Sequence, residues 1–122
     1  APNARWKPDL FWTGREVIVT GGSACKNSLC NNGRYNTVTN TWSAMNNDKV
    51  GGDVWDVVKK RMHKFAADGT GYSYDLDANT WSEQADAGAF PSTGFVKVWD
   101  GKNRVYFFGT NSGVSELRFY VP

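Results

Sequence analysis

Tyr35-Asn36-Thr37-Val38-Thr39-Asn40-Thr41-Trp42-Ser43 and Tyr74-Asp75-Leu76-Asp77-Ala78-Asn79-Thr80-Trp81-Ser82 are two versions of one phrase. Both set Tyr and Trp seven positions apart, with Asn-Thr before the Trp and Ser after it. A spacing that recurs while the residues between it change marks an internal repeat, and the period of a repeat bounds the architecture before any single element is assigned. Upstream, Leu10-Phe11-Trp12-Thr13-Gly14, Asp53-Val54-Trp55-Asp56 and Lys97-Val98-Trp99-Asp100-Gly101 each end a short alternating run on Trp, at intervals of 43 and 44 residues. A second run follows each, clearest in Glu16-Val17-Ile18-Val19-Thr20 and Arg104-Val105-Tyr106-Phe107-Phe108. Their β-branched and aromatic side chains suit a pleated, half-buried surface.

One unit therefore reads as four antiparallel strands: a run ending at a Trp turn, a run ending at Gly, a run containing Tyr and a run beginning at Trp. Gly14 and Gly101 supply the positive φ of a tight hairpin in the first and third units. Four strands in about 40 residues is the size of a propeller blade. The fold class that follows is all-β: a single domain over 1–122 with an N-terminal strand at 1–7, blade one at 8–46, blade two at 47–86 and blade three at 87–122. Short, evenly spaced strands also occur in β-sandwiches and up-and-down barrels.

Gly21-Gly22 after Val17-Ile18-Val19, then Tyr35 and Trp42, resembles the kelch signature of a hydrophobic strand closed by a double Gly and followed by spaced Tyr and Trp. The double Gly weakens to Asp68-Gly69 in the second unit and Gly109-Thr110 in the third. The resemblance implies a β-propeller of kelch repeats, in which ligands meet the loops joining second to third strands and one blade to the next. In this chain those are 23–32, 68–70 and 111–113, with 46–52 and 85–93 between blades. It also brings in copper-radical galactose oxidases and sialic-acid mutarotases, although one histidine cannot furnish the two-His copper set of the former.

Three blades fall short of the four to eight that surround a channel, so a second copy is expected to complete a six-bladed ring as a homodimer. The third unit ends at Phe119-Tyr120-Val121-Pro122 before any fourth strand, and Asn3-Ala4-Arg5-Trp6 resembles a fourth strand lacking its first three. The N-terminal segment is therefore expected to complete the last blade of the other chain, capping an open edge. A piece of a longer propeller is the alternative.

Composition narrows the partners. Aromatic residues make up 15% of the chain, led by six Trp, and the net charge is +2. The one basic cluster, Lys59-Lys60-Arg61 with Lys64, is too short to read as a nucleic-acid footprint. No apolar stretch approaches the roughly 20 residues of a membrane span. The start at Ala1-Pro2 suits a processed, secreted chain, and Cys25 and Cys30 have the spacing of a small disulfide-closed loop. A metal site would need more ligands than two Cys and one His supply, and no pattern asks for a cofactor.

Chemistry-bearing residues are sparse. His63 reads as a satisfied or exposed strand residue, and carboxylate pairs among Asp53, Asp56, Asp75, Asp77 and Asp86 are not established by spacing alone. Asp75 and Asp77 read first as turn formers. Trp6, Trp42 and Trp81 recur with the blade and are expected in the core. Trp12, Trp55 and Trp99 sit beside hairpin turns, where an indole either packs inward or offers its face to a sugar or cation. The ligand-binding candidates are Asn31, Asn32, Asp68, Asn111 and Ser112 from the loops, with Trp12, Trp55 and Trp99. The expected function is non-catalytic carbohydrate binding, with a protein-recognition scaffold as the alternative and a kelch-type sugar enzyme third.

Overall fold

A computed structural model describes residues 1–24, 30–66, 70–84, 93–111 and 113–122. These residues form three antiparallel sheets in sequence order and no helix. The first contains β1 (Asp9–Trp12), β2 (Glu16–Thr20), β3 (Gly33–Asn36) and β4 (Thr41–Ala44), and the second β5 (Val54–Asp56), β6 (Arg61–Phe65), β7 (Gly71–Asp75) and β8 (Thr80–Gln84). The third has three strands, β9 (Thr93–Trp99), β10 (Val105–Asn111) and β11 (Val114–Tyr120). Within each sheet every strand pairs with its predecessor, and β5 touches both β1 and β9, so the first strands lie side by side.

The seven-residue spacing is the register of a hairpin. Tyr35 faces Trp42 across β3 and β4, and Tyr74 faces Trp81 across β7 and β8, with ring centroids 5.2 and 5.3 Å apart. The turns between them share one construction. The Asn36 side chain accepts from the N–H groups of Val38 and Thr39, the Asp75 side chain accepts from Ala78 N, and Asn40 and Asn79 close the turns at φ 55°. Asn tolerates that left-handed backbone better than most residues. The same device reappears without its Asn between β5 and β6, where Asp56 accepts from Val58 and Lys59 N and Lys60 takes φ 53°. At the double Gly, a Cβ on Gly21 would stand 2.9 Å from Asp9 Oδ2 and one on Gly22 would stand 2.7 Å from Trp6 O. With φ of 64° and 93° these positions accept no side chain without displacement.

Each sheet carries a cross-strand row that starts at its first-strand Trp: Trp12–Val17–Tyr35–Trp42, Trp55–Met62–Tyr74–Trp81 and Trp99–Val105–Tyr120. The second row packs on the first sheet, where Met62 and Tyr74 join Ile18 and Met45 in one buried cluster bordered by Phe11, Trp55 and Trp81. Arg34 of β3 crosses this joint to donate to Leu76 O at 2.9 Å, its charge balanced by Glu16 at 2.7 Å. The third row packs on the opposite face of the second sheet, where Val105 and Phe107 join Val54 and Phe65, and Trp99 stacks on His63 at 6.1 Å. The second sheet is thus buried on both faces, and the outer two on one face each.

Two expectations change. Residues 1–7 form no strand; Trp6 makes an isolated bridge to Ser23, anchored by the Arg5 guanidinium on the carbonyls of Gly21 and Asn31. Among the Trp expected in the core, Trp81 is half-buried and donates to Asn46 O, but Trp42 is 42% and Trp6 71% exposed. The reason is topological: Trp42 lies on the face of the first sheet that no other sheet covers.

His63 is buried between the second and third sheets, with Asp56 Oδ2 3.3 Å from Nε2 and Gln84 Oε1 3.1 Å from Nδ1. Burial lowers its pKa below the ordinary 6.5, the contacts to Asp56 and Gln84 acting in the opposite direction. The unfolded chain therefore binds this proton at higher pH than the folded one. The stabilisation that neutral His63 provides is full above about pH 6.5 and falls as the pH drops toward its lowered folded value. In urea unfolding, His63→Gln is expected to flatten the decline in stability below pH 6.5 while lowering stability at pH 7.5; an unchanged pH slope would remove His63 as its source.

Candidate functional site

The strand directions separate the candidate residues into two groups. β1, β5 and β9 run away from the loop end of their sheets, so Trp12, Trp55 and Trp99 sit at the hairpin end, whereas Asn31 and Asn32 precede β3 at the loop end. A strand of four residues spans about 13 Å, and the two groups form no common site. Trp55 and Trp99 are packed against the neighbouring sheet with their indole N–H groups buried. Trp12 is 56% exposed, because its row lies on the uncovered face. Asp68 and Ser112 lie outside the described residues, as does the Asn111 side chain; its backbone closes the β10–β11 hairpin opposite Val114.

The two Asn residues are structural. Asn32 is buried and fully engaged: its Oδ1 accepts from Thr20 Oγ1 at 2.5 Å, and its Nδ2 donates to Asn46 O at 3.0 Å and Lys49 O at 2.8 Å. Thr20 Oγ1 in turn accepts from Gly51 N at 2.7 Å. These bonds tie the end of β2, the start of β3 and the 46–51 connection into one unit. The Asn31 side chain accepts from Asn3 N at 2.9 Å and from the Arg5 guanidinium at 3.1 Å. The Asn32 amide and the Asn31 Oδ1 thus serve contacts within the fold, and both residues also line the neighbouring cleft.

That neighbour is a cleft of ≈ 220 Å³ between the N-terminal residues and β4, walled by Pro2, Asn32, Trp42, Ser43, Ala44 and Asn47. No acidic or basic side chain lines it. It offers an indole, an amide and a hydroxyl, a combination that suits a neutral polyhydroxylated ligand. A second cleft, ≈ 290 Å³, opens at the hairpin end between the first two sheets, and its lining includes Arg15, Glu16, Arg34, Lys60 and Asp77. Its central charges are already paired in the Glu16–Arg34 bridge.

The third polar feature lies at the loop end beside the first strands. Asp53 accepts from Phe65 N at 2.6 Å and contacts the Lys97 ammonium, while Lys64 donates to Val50 O at 2.7 Å. Asp9 stands next to them, its carboxyl pushed up by burial and by Asp53, with Gly52 N–H opposing the rise. Sequence reading missed Asp9; its only signal was a charged residue opening an apolar strand. Asp56 faces His63 inside the sheet joint, and Asp75 caps its turn. The basic cluster does not form one patch: Arg61 bonds Asp75 at 3.6 Å on one face of β6, and Lys64 projects from the other.

If Asn32 is a structural tie, Asn32→Ala lowers the unfolding free energy by about 2–3 kcal/mol, because it leaves the carbonyls of Asn46 and Lys49 unpaired. Denaturant unfolding measures this; a variant of unchanged stability would show that Asn32 is no such tie.

The chain matches no family model, and no curated protein is significantly similar to it.

Proposed function

We propose that this protein is a secreted, non-catalytic carbohydrate-binding protein whose three sheets are propeller blades of kelch type, and whose ring a second copy completes. The observation that carries the ligand class is the cleft beside Trp42: an aromatic wall next to amide and hydroxyl groups, with no charged side chain in its lining. Sugars present alternating C–H faces and hydroxyl edges, which such a surface meets by stacking and by neutral hydrogen bonds. His63, the chain's only histidine, is shut between sheets, which removes the most versatile acid–base group from any open surface. Side-by-side first strands and the repeated Trp row support the propeller reading.

A disulfide between Cys25 and Cys30 belongs to the same proposal. Cys30 Sγ lies 3.7 Å from Gly22 O beside the Asn31–Asn32 corner; Cys25 falls outside the described residues. A clip there would hold the loop that leads into the cleft and lower the entropic cost of binding.

A glycan array followed by calorimetry tests the reading. Expected are one or more neutral saccharide ligands, and a loss of affinity of about tenfold or more in Trp42→Ala, with Trp42→Phe retaining most of it. Absence of any glycan ligand, or a Trp42→Ala variant that binds as well as the parent, would transfer the protein to the protein-recognition class, which the exposed apolar sheet faces favour.

A further inference from the structure

The two outer sheets each leave one face that no other sheet covers, with Pro2 against Gly33 at the edge of the first and the Arg104 guanidinium 4.7 Å from the Phe119 ring centroid on the third. On the first sheet this face consists of Leu10, Trp12, Val17, Val19, Tyr35 and Trp42, with Leu10 at 60% and Trp12 at 56% exposure. On the third it consists of Val96, Val98, Tyr106, Phe108, Leu117 and Phe119, with Val96 and Leu117 both at 65%. None of the twelve is charged. Scattered exposed apolar residues are ordinary on a protein surface, whereas contiguous faces of this composition are interaction surfaces.

The chain itself shows what each face fits. At both internal joints, a Trp row seats on the opposite face of the sheet before it: Trp55–Met62–Tyr74–Trp81 on the side of Phe11, Ile18 and Arg34, and Trp99–Val105–Tyr120 on the side of Val54, His63 and Ser73. By register, the positions of Phe11, Ile18 and Arg34 in the first sheet, and of Val54, His63 and Ser73 in the second, are held in the third by Val98, Tyr106 and Phe119. The bare face of the first sheet is a Trp row without a seat. The bare face of the third is a seat without a Trp row.

We infer that these two faces are the halves of one joint, and that a second copy of this chain occupies both: the first sheet of each copy docks on the third sheet of the other. The same joint made twice closes two chains into a ring of six sheets, within the range that propellers use. Trp12 would then lie over Tyr106 of the other copy as Trp99 lies over His63, and Trp42, at the outer end of its row, would be half-buried as Trp81 is at the internal joint, keeping an edge open to its cleft. The contact is limited by the three-stranded third sheet, about 14 by 15 Å or roughly 200 Å² in projection. Two joints with two faces each cover about 800 Å² in projection, and the accessible surface of side chains standing out of those faces is larger than their projection. The inference rests on the propeller reading of the stacked sheets and not on the ligand, so a failed glycan screen leaves it standing.

The test is the mass of the 122-residue chain in solution by light scattering and sedimentation, from about 1 to 100 µM, a range bracketing micromolar dissociation. Expected is twice the 13.6 kDa of one chain. Trp12→Lys and Tyr106→Glu, one charge on each face, should each give single chains, with association weakened about 100-fold or more. Mixing these two variants should restore the two-chain mass, since their heterodimer has one parental joint and one in which the opposite charges meet. Circular dichroism checks that each variant folds, and Val38→Lys, on an exposed turn away from both faces, should leave the mass unchanged. A compact single chain across the range, a mass that climbs past two chains, or folded variants that do not recover on mixing would each overturn the inference.

Discussion

A β-sheet with two apolar faces has to be covered twice, and the second sheet of this protein meets that demand entirely within the chain. Met62 and Tyr74 point one way into Ile18 and Met45, while Phe65 and Val54 point the other way into Phe107 and Val105. Its β6 strand, Arg61-Met62-His63-Lys64-Phe65, is therefore buried at consecutive positions, a departure from the hydrophobic-in, polar-out alternation of a sheet with one wet face. The burial explains why this chain tolerates a histidine there: His63 sits between Asp56 and Gln84 under the face of Trp99, and the neutral ring has an acceptor oxygen within reach of its one N–H in either tautomer. Everything else about the architecture follows from repeating that joint.

The joints also explain how the loop end is shaped. Because the second Trp row lies flat on the first sheet, the connection between those two sheets is tightly bound. Between β4 and β5 the chain is held by Asn32 to the carbonyls of Asn46 and Lys49 and by Thr20 to Gly51 N. Asn46 in turn donates to the Asn79 carbonyl of the second sheet at 3.2 Å, and its own carbonyl accepts from Trp81. Polar residues at the loop end thus serve the stacking first. What they leave open is a cleft whose lining carries no acidic or basic side chain, walled by Trp42 and small polar groups.

The repeat was legible in the sequence because it encodes a distance. Seven residues from Tyr to Trp is two short strand arms and a four-residue turn, which places the two rings directly opposite, so the spacing recurs wherever that hairpin does. The Gly pair was legible for a similar reason: Asp9 and Trp6 pass too close for any Cβ. The candidate ligand residues were less legible. Asn and Trp are used both for turns and packing and for recognition, and sequence does not say which end of a strand faces which loop. Asn32 shows this most clearly, since its composition cue and its loop position fit a ligand group, yet its amide is consumed by Thr20, Asn46 and Lys49. The Trp of the first strands were legible as neighbours of the hairpin turns, and strand direction puts that end away from the loops that carry Asn31 and Asn32.

The reading of Trp6 turns on chain reach. The other two repeat phrases leave the chain a long path from their Trp to the next sheet: from Trp42, eleven residues lead to Asp53 at the head of β5. From Trp6 only three lead to Asp9 at the head of β1. Three residues extend at most about 11 Å, whereas the span from fourth strand to first is about 14 Å before any climb along the strands. With β1 paired as it is, Trp6 has its backbone committed to Ser23 instead, and Arg5 secures the segment against the loop that leads to Asn31. Apolar contact between sheet faces therefore gives two copies a way to associate that requires no strand to leave its place, and it uses the same Trp row that already stacks the sheets within one chain.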